Sequence, residues 1–506
     1  MVYCGKASQG CQSCRTRRIK LATLFPSQSQ SHPVLTSTAT PPSTTVATKG
    51  RRSSGGKRLA KEIIATPVDK AIQFYVEHYV LGLPDEPRAG HELRGIKWVH
   101  SRETRDIMAA VGMASLSNLT GDKEMNTLAK HHYGLALQNM ASSVRNMASV
   151  DIDLVLRAVV MMAMYEVIRD RNEPASLART HVMGGAAILS NSLPLPQAPA
   201  DGPRGLLQLC FSMVASKQSS LQYSSPEPNV LIPTHIEPQS EGVLPETFFD
   251  WLSIIDKTVS EPDRPSAELL KVMARFVQLS APVRSQPLID GHPKTADVIR
   301  EALEINRDLE SWEKRQDGIW AVVEEHVDKF FPHEAVFDGC YHIYDNTYIA
   351  RVWNHYRWAH TMVNQLLLES VTKYPVSSAP LVSTDQQRHS LACIRHLARD
   401  TLVSVPTHYR HPTLGPAHWD HFDKTKRGAV IGIAGIPTLL FEIKVAGCAP
   451  GVPERCRAWA LNMLETAYRD TGMFQAKALA GFLGKMVERE SSPSLSPESV
   501  GEGGGG

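Results

Sequence analysis

The chain predicts an all-α body, and three observations predict it. Apolar residues recur at three- and four-residue spacing from Pro67 onward, strand-like alternation is rare and isolated, and proline-rich breaks near 193–203, 224–245 and 375–382 divide the helical stretches. With 506 residues, 42% of them hydrophobic, the chain can bury a large core.

Taken in order, the chain divides into four parts: 1–20, 21–64, 65–490 and 491–506. Residues 21–48 are rich in Ser, Thr, Pro and Gln and carry no charge beyond His32, so they read as a disordered linker that cannot bury enough apolar surface to fold. A basic cluster follows: Lys49, Arg51 and Arg52, then Lys57, Arg58 and Lys61. Two basic groups across a Ser/Gly spacer resemble a bipartite nuclear-import signal, so the expected location is the nucleus; a solvated linker is the plain alternative. In the body, Ile72, Tyr75, Val76 and Tyr79 form a first helical stripe. Asp151 and Asp153 open another helix at its positive dipole end, and Leu154, Val155, Ala158, Met161, Met162 and Tyr165 line its apolar face. Later helices are expected at about 174–191, 204–217, 265–280, 294–315, 340–372, 384–404, 427–446, 453–470 and 473–488. The last segment, SSPSLSPESVGEGGGG, reads as a disordered tail.

Charge is distributed unevenly. Of 54 Lys and Arg, eleven fall in residues 1–61, which hold no Asp or Glu; the remainder has 43 basic against 52 acidic residues, a net of −9. A basic arm on an acidic body suits a nucleic-acid-facing tail on a folded regulator. Eight cysteines, mostly singletons, argue for a reducing compartment rather than a disulfide framework. No apolar signal-peptide core opens the sequence, and the longest apolar run, 429–441, contains Pro437 and falls short of the roughly 20 residues of a membrane helix. The expectation is a soluble intracellular protein without a membrane partner.

The motif richest in chemistry is CQSCRTRRIK at 11–20. Cys11 and Cys14 form a C-x-x-C pair, and Arg15, Arg17, Arg18 and Lys20 follow it. The stretch resembles the opening of the fungal binuclear zinc-cluster DNA-binding module, in which six cysteines hold two zinc ions. Several strings of the body resemble the helical regulatory domain of the same transcription-factor family. These are HHYGLALQNMASSV through His132, Tyr133, Ala136 and Leu137; the Asp-led helix through Asp153, Tyr165 and Glu166; and HVMGGAAIL through His181, Gly184 or Gly185, and Ala186. Further on come Trp353, Asn354, Tyr356 and Arg357, then Asp400, Ser404, Val405 and Pro406.

The resemblance implies a nuclear, zinc-dependent regulator of RNA polymerase II transcription that binds double-stranded DNA and the transcription machinery. Cys11 and Cys14 would be zinc ligands, Arg18 the base reader, and Arg15, Arg17 and Lys20 mainly phosphate contacts. A homodimer and a small-molecule effector in an apolar pocket are further partners such a body could take. No sustained heptad supports a coiled-coil dimer.

The module is interrupted. Leu21 stands where the third cysteine belongs, and the next cysteine is Cys210. Tetrahedral zinc needs four ligands, so two thiolates with Cys4 cannot fill two sites. The spacing holds up to Lys20 and then stops abruptly, the pattern of a misplaced splice boundary. The second expectation is therefore a regulator without specific DNA binding that acts through its helical body.

Plain physical readings stand beside these. Tyr133, Tyr165 and Tyr356 read as core aromatics with satisfied hydroxyls, Trp353 and Trp358 as packing residues, and Gly184 and Gly185 as points of close helix approach. His418, Asp420, His421 and Asp423 read as a polar loop, and His333, Cys340, His342 and Asp345 as a loose set. Gly428, Gly432 and Gly435 follow no strand and form no dinucleotide loop. Without a catalytic constellation, the expectation is that the protein is not an enzyme.

Overall fold

The computed structural model describes residues 65–80, 97–146, 151–169, 176–193, 202–223, 243–285, 288–327, 330–424 and 439–491. The zinc-cluster remnant, the linker, the basic clusters, the glycines at 428–435 and the tail lie outside them. Within them the body is all-α with one two-stranded hairpin.

The first helix, α1 (Pro67–Tyr79), starts where local chemistry dictates. Thr66 and Asp69 form a capping box, and Pro67 takes the first helical position, where its missing N–H costs nothing. Four helices follow: α2 (Arg102–Thr120), α3 (Lys123–Arg145), α4 (Ile152–Ile168) and α5 (Ser176–Ser192). Asp122 and Asp151 cap α3 and α4 through their side chains. Helix α2 is the central element of this half: residues 107–115 are all buried, so it has no polar face and hence no stripe for periodicity to find. Gly112 lets α1 lie directly on it, since a Cβ there would stand 2.0 Å from the Ala71 carbonyl oxygen.

The second half holds α6 (Gly202–Tyr223), α7 (Glu246–Thr258), α8 (Arg264–Ser285), α9 (Pro293–Lys314), α10 (Thr347–Lys373) and the short α11 (Pro375–Ser378). Between α9 and α10, β1 (Val323–His326) pairs antiparallel with β2 (Cys340–Ile343). Then come α12 (Thr384–Val403), α13 (Val405–His408), α14 (Pro416–Lys424), α15 (Leu440–Cys448), α16 (Glu454–Thr471) and α17 (Phe474–Ser491).

Two large apolar cores result. One gathers α1 to α4 with α16 and α17; the other gathers α6 to α10 around Trp312, Trp353, Tyr356 and Trp358. Helices α12 and α15 form the wall between them: Ile394 and Ile443 face the first core, Leu397 and Val445 the second.

Three expectations are corrected. The helix expected at 340–372 begins only at Thr347; residues 340–343 are a strand, because Cys340 to Ile343 find a partner in Val323–His326 and Asn346 caps the helix after them. The HWDHFD stretch is a helix rather than a loop, and Phe422 packs on Phe331 and Tyr341. Of the helix expected at 427–446, the described part is α15, which runs on to Cys448.

Candidate functional site

The strings that carry the family resemblance are far apart in the chain and meet in two places. In the first, Tyr133 of α3 stacks on Tyr165 of α4 at 4.2 Å and donates to Glu166 Oε1 at 2.6 Å. With its one proton committed to Glu166, the Tyr133 hydroxyl accepts from His181 Nε2 of α5 at 2.7 Å. Arg169 holds the other carboxylate oxygen at 2.6 Å. Burial, then the hydrogen bond to Glu166, raises the phenol pKa, while burial lowers that of His181. Behind this group, His132 and Asn139 both bond to Asp106 of α2. A Cβ on Gly185 would touch Val159 at 3.0 Å, whereas Gly184 faces open space, so only Gly185 serves close approach.

The second meeting point is fully buried. Arg357, 2% exposed on α10, donates to the Tyr344 hydroxyl (2.7 Å), Asn354 Oδ1 (2.8 Å) and His342 Nδ1 (3.2 Å). Ser404 also donates to Asn354 Oδ1, at 3.0 Å, and Asn354 Nδ2 donates to His408 Nε2, at 2.9 Å. Thr407 closes the group by donating to the His342 carbonyl at 2.6 Å. A guanidinium only donates, so His342 accepts at Nδ1 and carries its proton on Nε2. Burial and the neighbouring arginines hold His342 well below the ordinary histidine pKa and bring His408 down to about 3, so both rings are neutral. Trp353 and Trp358 are packing residues, their indole N–H groups bonded to the Trp320 carbonyl and to His355.

Next to this buried group, the face of the hairpin toward α12 collects a different set, in which Glu324 and His326 are exposed and Cys340 and His342 buried. Cross-strand pairing sets Glu324 opposite His342 and His326 opposite Cys340, so period-2 alternation puts all four on one face. The other face, with Tyr341 and Ile343, packs on Leu414 and Phe422. Cys340 Sγ lies 3.0 Å from His326 Nδ1. Arg399 of α12 grips Glu324 with both Nη atoms, at 2.7 and 2.9 Å, and reaches Asp338 at 3.3 Å. Asp338, at φ 54°, is held in its left-handed turn by Arg399 and Arg455. The Arg399 hydrogen bond keeps the Glu324 pKa low; burial and the Glu324 charge push the Cys340 thiol up, which keeps it a thiol rather than a nucleophilic thiolate. The set expected to be loose is therefore partly assembled: Cys340 and His342 share a face, joined by Glu324 and His326, which sequence reasoning missed. The one available signal was their alternation, Glu-x-His and Cys-x-His, and it is too short to stand out.

Cys11, Cys14, Arg15, Arg17, Arg18 and Lys20 lie outside the described residues. Of the described cysteines, Cys210 is buried in the second core and Cys456 in the first. Cys11 and Cys14 alone fall short of the four ligands that each tetrahedral zinc takes.

Two spaces bear on an effector. An apolar gap among α8, α9 and α10 holds about 10 Å³, room for one water. A cleft of about 590 Å³, with His333, Glu334, His411, Arg469 and Asp470 in its lining, is open to solvent. No described helix is long and apolar enough to cross a membrane. Comparison with protein-family models, curated proteins and solved structures finds no match to this chain.

Proposed function

We propose that this chain is a nuclear regulator of RNA polymerase II transcription built on the plan of the fungal zinc-cluster factors, with its DNA-binding module interrupted after Lys20. The observation that carries the reading is the order of its parts: C-x-x-C with a basic run, then a basic linker, then an acidic all-α body. Residues of the body's resemblance meet in two polar clusters, one half-buried around Tyr133 and one buried around Arg357.

In this reading Arg15, Arg17, Arg18 and Lys20 attract duplex DNA through its phosphates, which needs only charge. Base readout by Arg18 needs a folded scaffold, and Cys11 and Cys14 alone cannot hold one. The break at Leu21 favours a second reading, in which the chain regulates through contacts of its helical body without specific DNA binding.

The test compares the present chain with one whose six-cysteine module is restored, on selected and scrambled duplexes over a range of salt. The present chain should bind at roughly 10⁻⁴–10⁻⁶ M without preference and weaken steeply with salt. The restored chain should gain on the order of a thousandfold discrimination, reduced by Arg18→Ala. A preference above about tenfold in the present chain would overturn the interruption. No preference in the restored chain would overturn DNA recognition.

A further inference from the structure

We propose that the face of the β1–β2 hairpin toward α12, where buried Cys340 meets exposed His326 and Glu324, is a divalent transition-metal site for zinc, with those three residues as ligands and Arg399 as the cation that guards it. It lies in the helical body, takes none of the N-terminal cysteines, and stands or falls separately from the DNA-binding reading.

Geometry points there first. The ligand atoms of Glu324, His326 and Cys340 all lie within 4.8 Å of one another, and Sγ and Nδ1 are 3.0 Å apart. Zinc bonds of about 2.0–2.3 Å at tetrahedral angles separate ligand atoms by about 3.4–3.7 Å, so small side-chain rotations close the set. Thiolate, imidazole and carboxylate together suit zinc rather than calcium or magnesium. The His326 side chain, 78% exposed, leaves the fourth position open to water.

An overlapping set, Glu324, His342 and Asp400, also brings its ligand atoms together. It is excluded as a site because Arg357 occupies His342 Nδ1 and thereby keeps the proton on Nε2. His326 has no such restraint.

Arg399 supplies the regulation. It neutralises Glu324 with two hydrogen bonds and approaches Cys340 Sγ at 3.8 Å, which puts a positive charge where the metal would sit. At 29% and 32% exposure the pair is weak beside a zinc–thiolate bond, so the metal displaces the guanidinium toward Asp338 and Asp400. The Cys340 proton passes to the buffer as the metal binds.

The experiment uses the full chain with Cys4, Cys11 and Cys14 changed to Ser, titrated with Co²⁺ as a spectroscopic stand-in for zinc. The expected result is one equivalent bound with a thiolate-to-cobalt charge-transfer band that zinc bleaches. Cys340→Ser should abolish the band. His326→Ala, at an exposed position that leaves the fold intact by circular dichroism, should weaken binding. Arg399→Ala should tighten it by up to about fivefold, the worth of a solvent-exposed ion pair. Absence of the band, its survival in Cys340→Ser, or unchanged affinity in His326→Ala would each overturn the proposal.

Discussion

Arg357 and Arg399 both bear on His342, yet they live in different physical worlds. Arg357 is 2% exposed, and its three hydrogen-bond partners, Tyr344, Asn354 and His342, are all neutral. The Arg399 side chain is 29% exposed and meets three carboxylates, those of Glu324, Asp338 and Asp400. A buried cation without a counter-charge survives only where its donors are met in fixed geometry, so every partner of Arg357 is committed. A surface cation among carboxylates holds each of them loosely and can exchange. The first region is architecture; the second is chemistry open to solvent.

Acid should divide the two regions most. The imidazoles of the unfolded chain take up protons below about pH 6.5. In the folded protein burial keeps His408 of the Arg357 group neutral down to about pH 3, and two further buried rings, His360 bonded to Tyr356 on α10 and His411 after α13, neutral down to about 4. The unfolded state then binds more protons, and stability falls as pH drops from 6.5 toward 4, by about 1.4 kcal/mol per pH unit for each such histidine. Urea midpoints between pH 7 and 5 measure this. A flat profile would mean that these rings are charged in the fold and that the buried region is not neutral as described.

Arg357→Ala strands Tyr344, Asn354 and His342 and should cost about 3–5 kcal/mol, whereas Arg399→Ala should cost about 1 kcal/mol or less. Equal losses in urea denaturation would erase the distinction. The Tyr133 group is an intermediate, half-buried case: Tyr133→Phe removes the bonds to Glu166 and His181 and should cost about 1–2 kcal/mol. The smallest effect tests packing alone. Gly184→Ala, facing open space on α5, should stabilise by about 0.5–1 kcal/mol, and Gly185→Ala, pressed on Val159, should destabilise. Thermal melts of the two would show opposite shifts.

What the chain made legible follows the same division. The start and apolar stripe of helix α1 were legible because Pro67 and the period of Ile72, Tyr75 and Tyr79 are local signals. The apolar stripe of α4 was legible too, since all but Leu154 of its predicted residues are buried. Helix α2 could not be read as amphipathic because water touches so little of it. The hairpin was hidden for another reason: Cys340 to Ile343 become a strand only through partners 14 to 20 residues away, and their sequence continues smoothly into α10. For the site, the tyrosines could be anticipated as satisfied core aromatics. The pairing of Glu324 with Arg399 could not, because it depends on how α12 crosses the hairpin.

One contact near the start of the body governs how the chain can be made. The Tyr79 hydroxyl donates to the Thr471 carbonyl at 2.9 Å across 392 residues, and Gly472 turns there with a Cβ position only 2.3 Å from the Ser115 carbonyl oxygen. A ribosome delivers residue 471 long after residue 79, at about 5–20 residues per second. For tens of seconds α1 therefore has its seat on α2 but lacks the α16 carbonyl that its Tyr79 hydroxyl meets. A fragment that stops before α16 would keep α1 on α2 and leave the Tyr79 hydroxyl without its Thr471 partner.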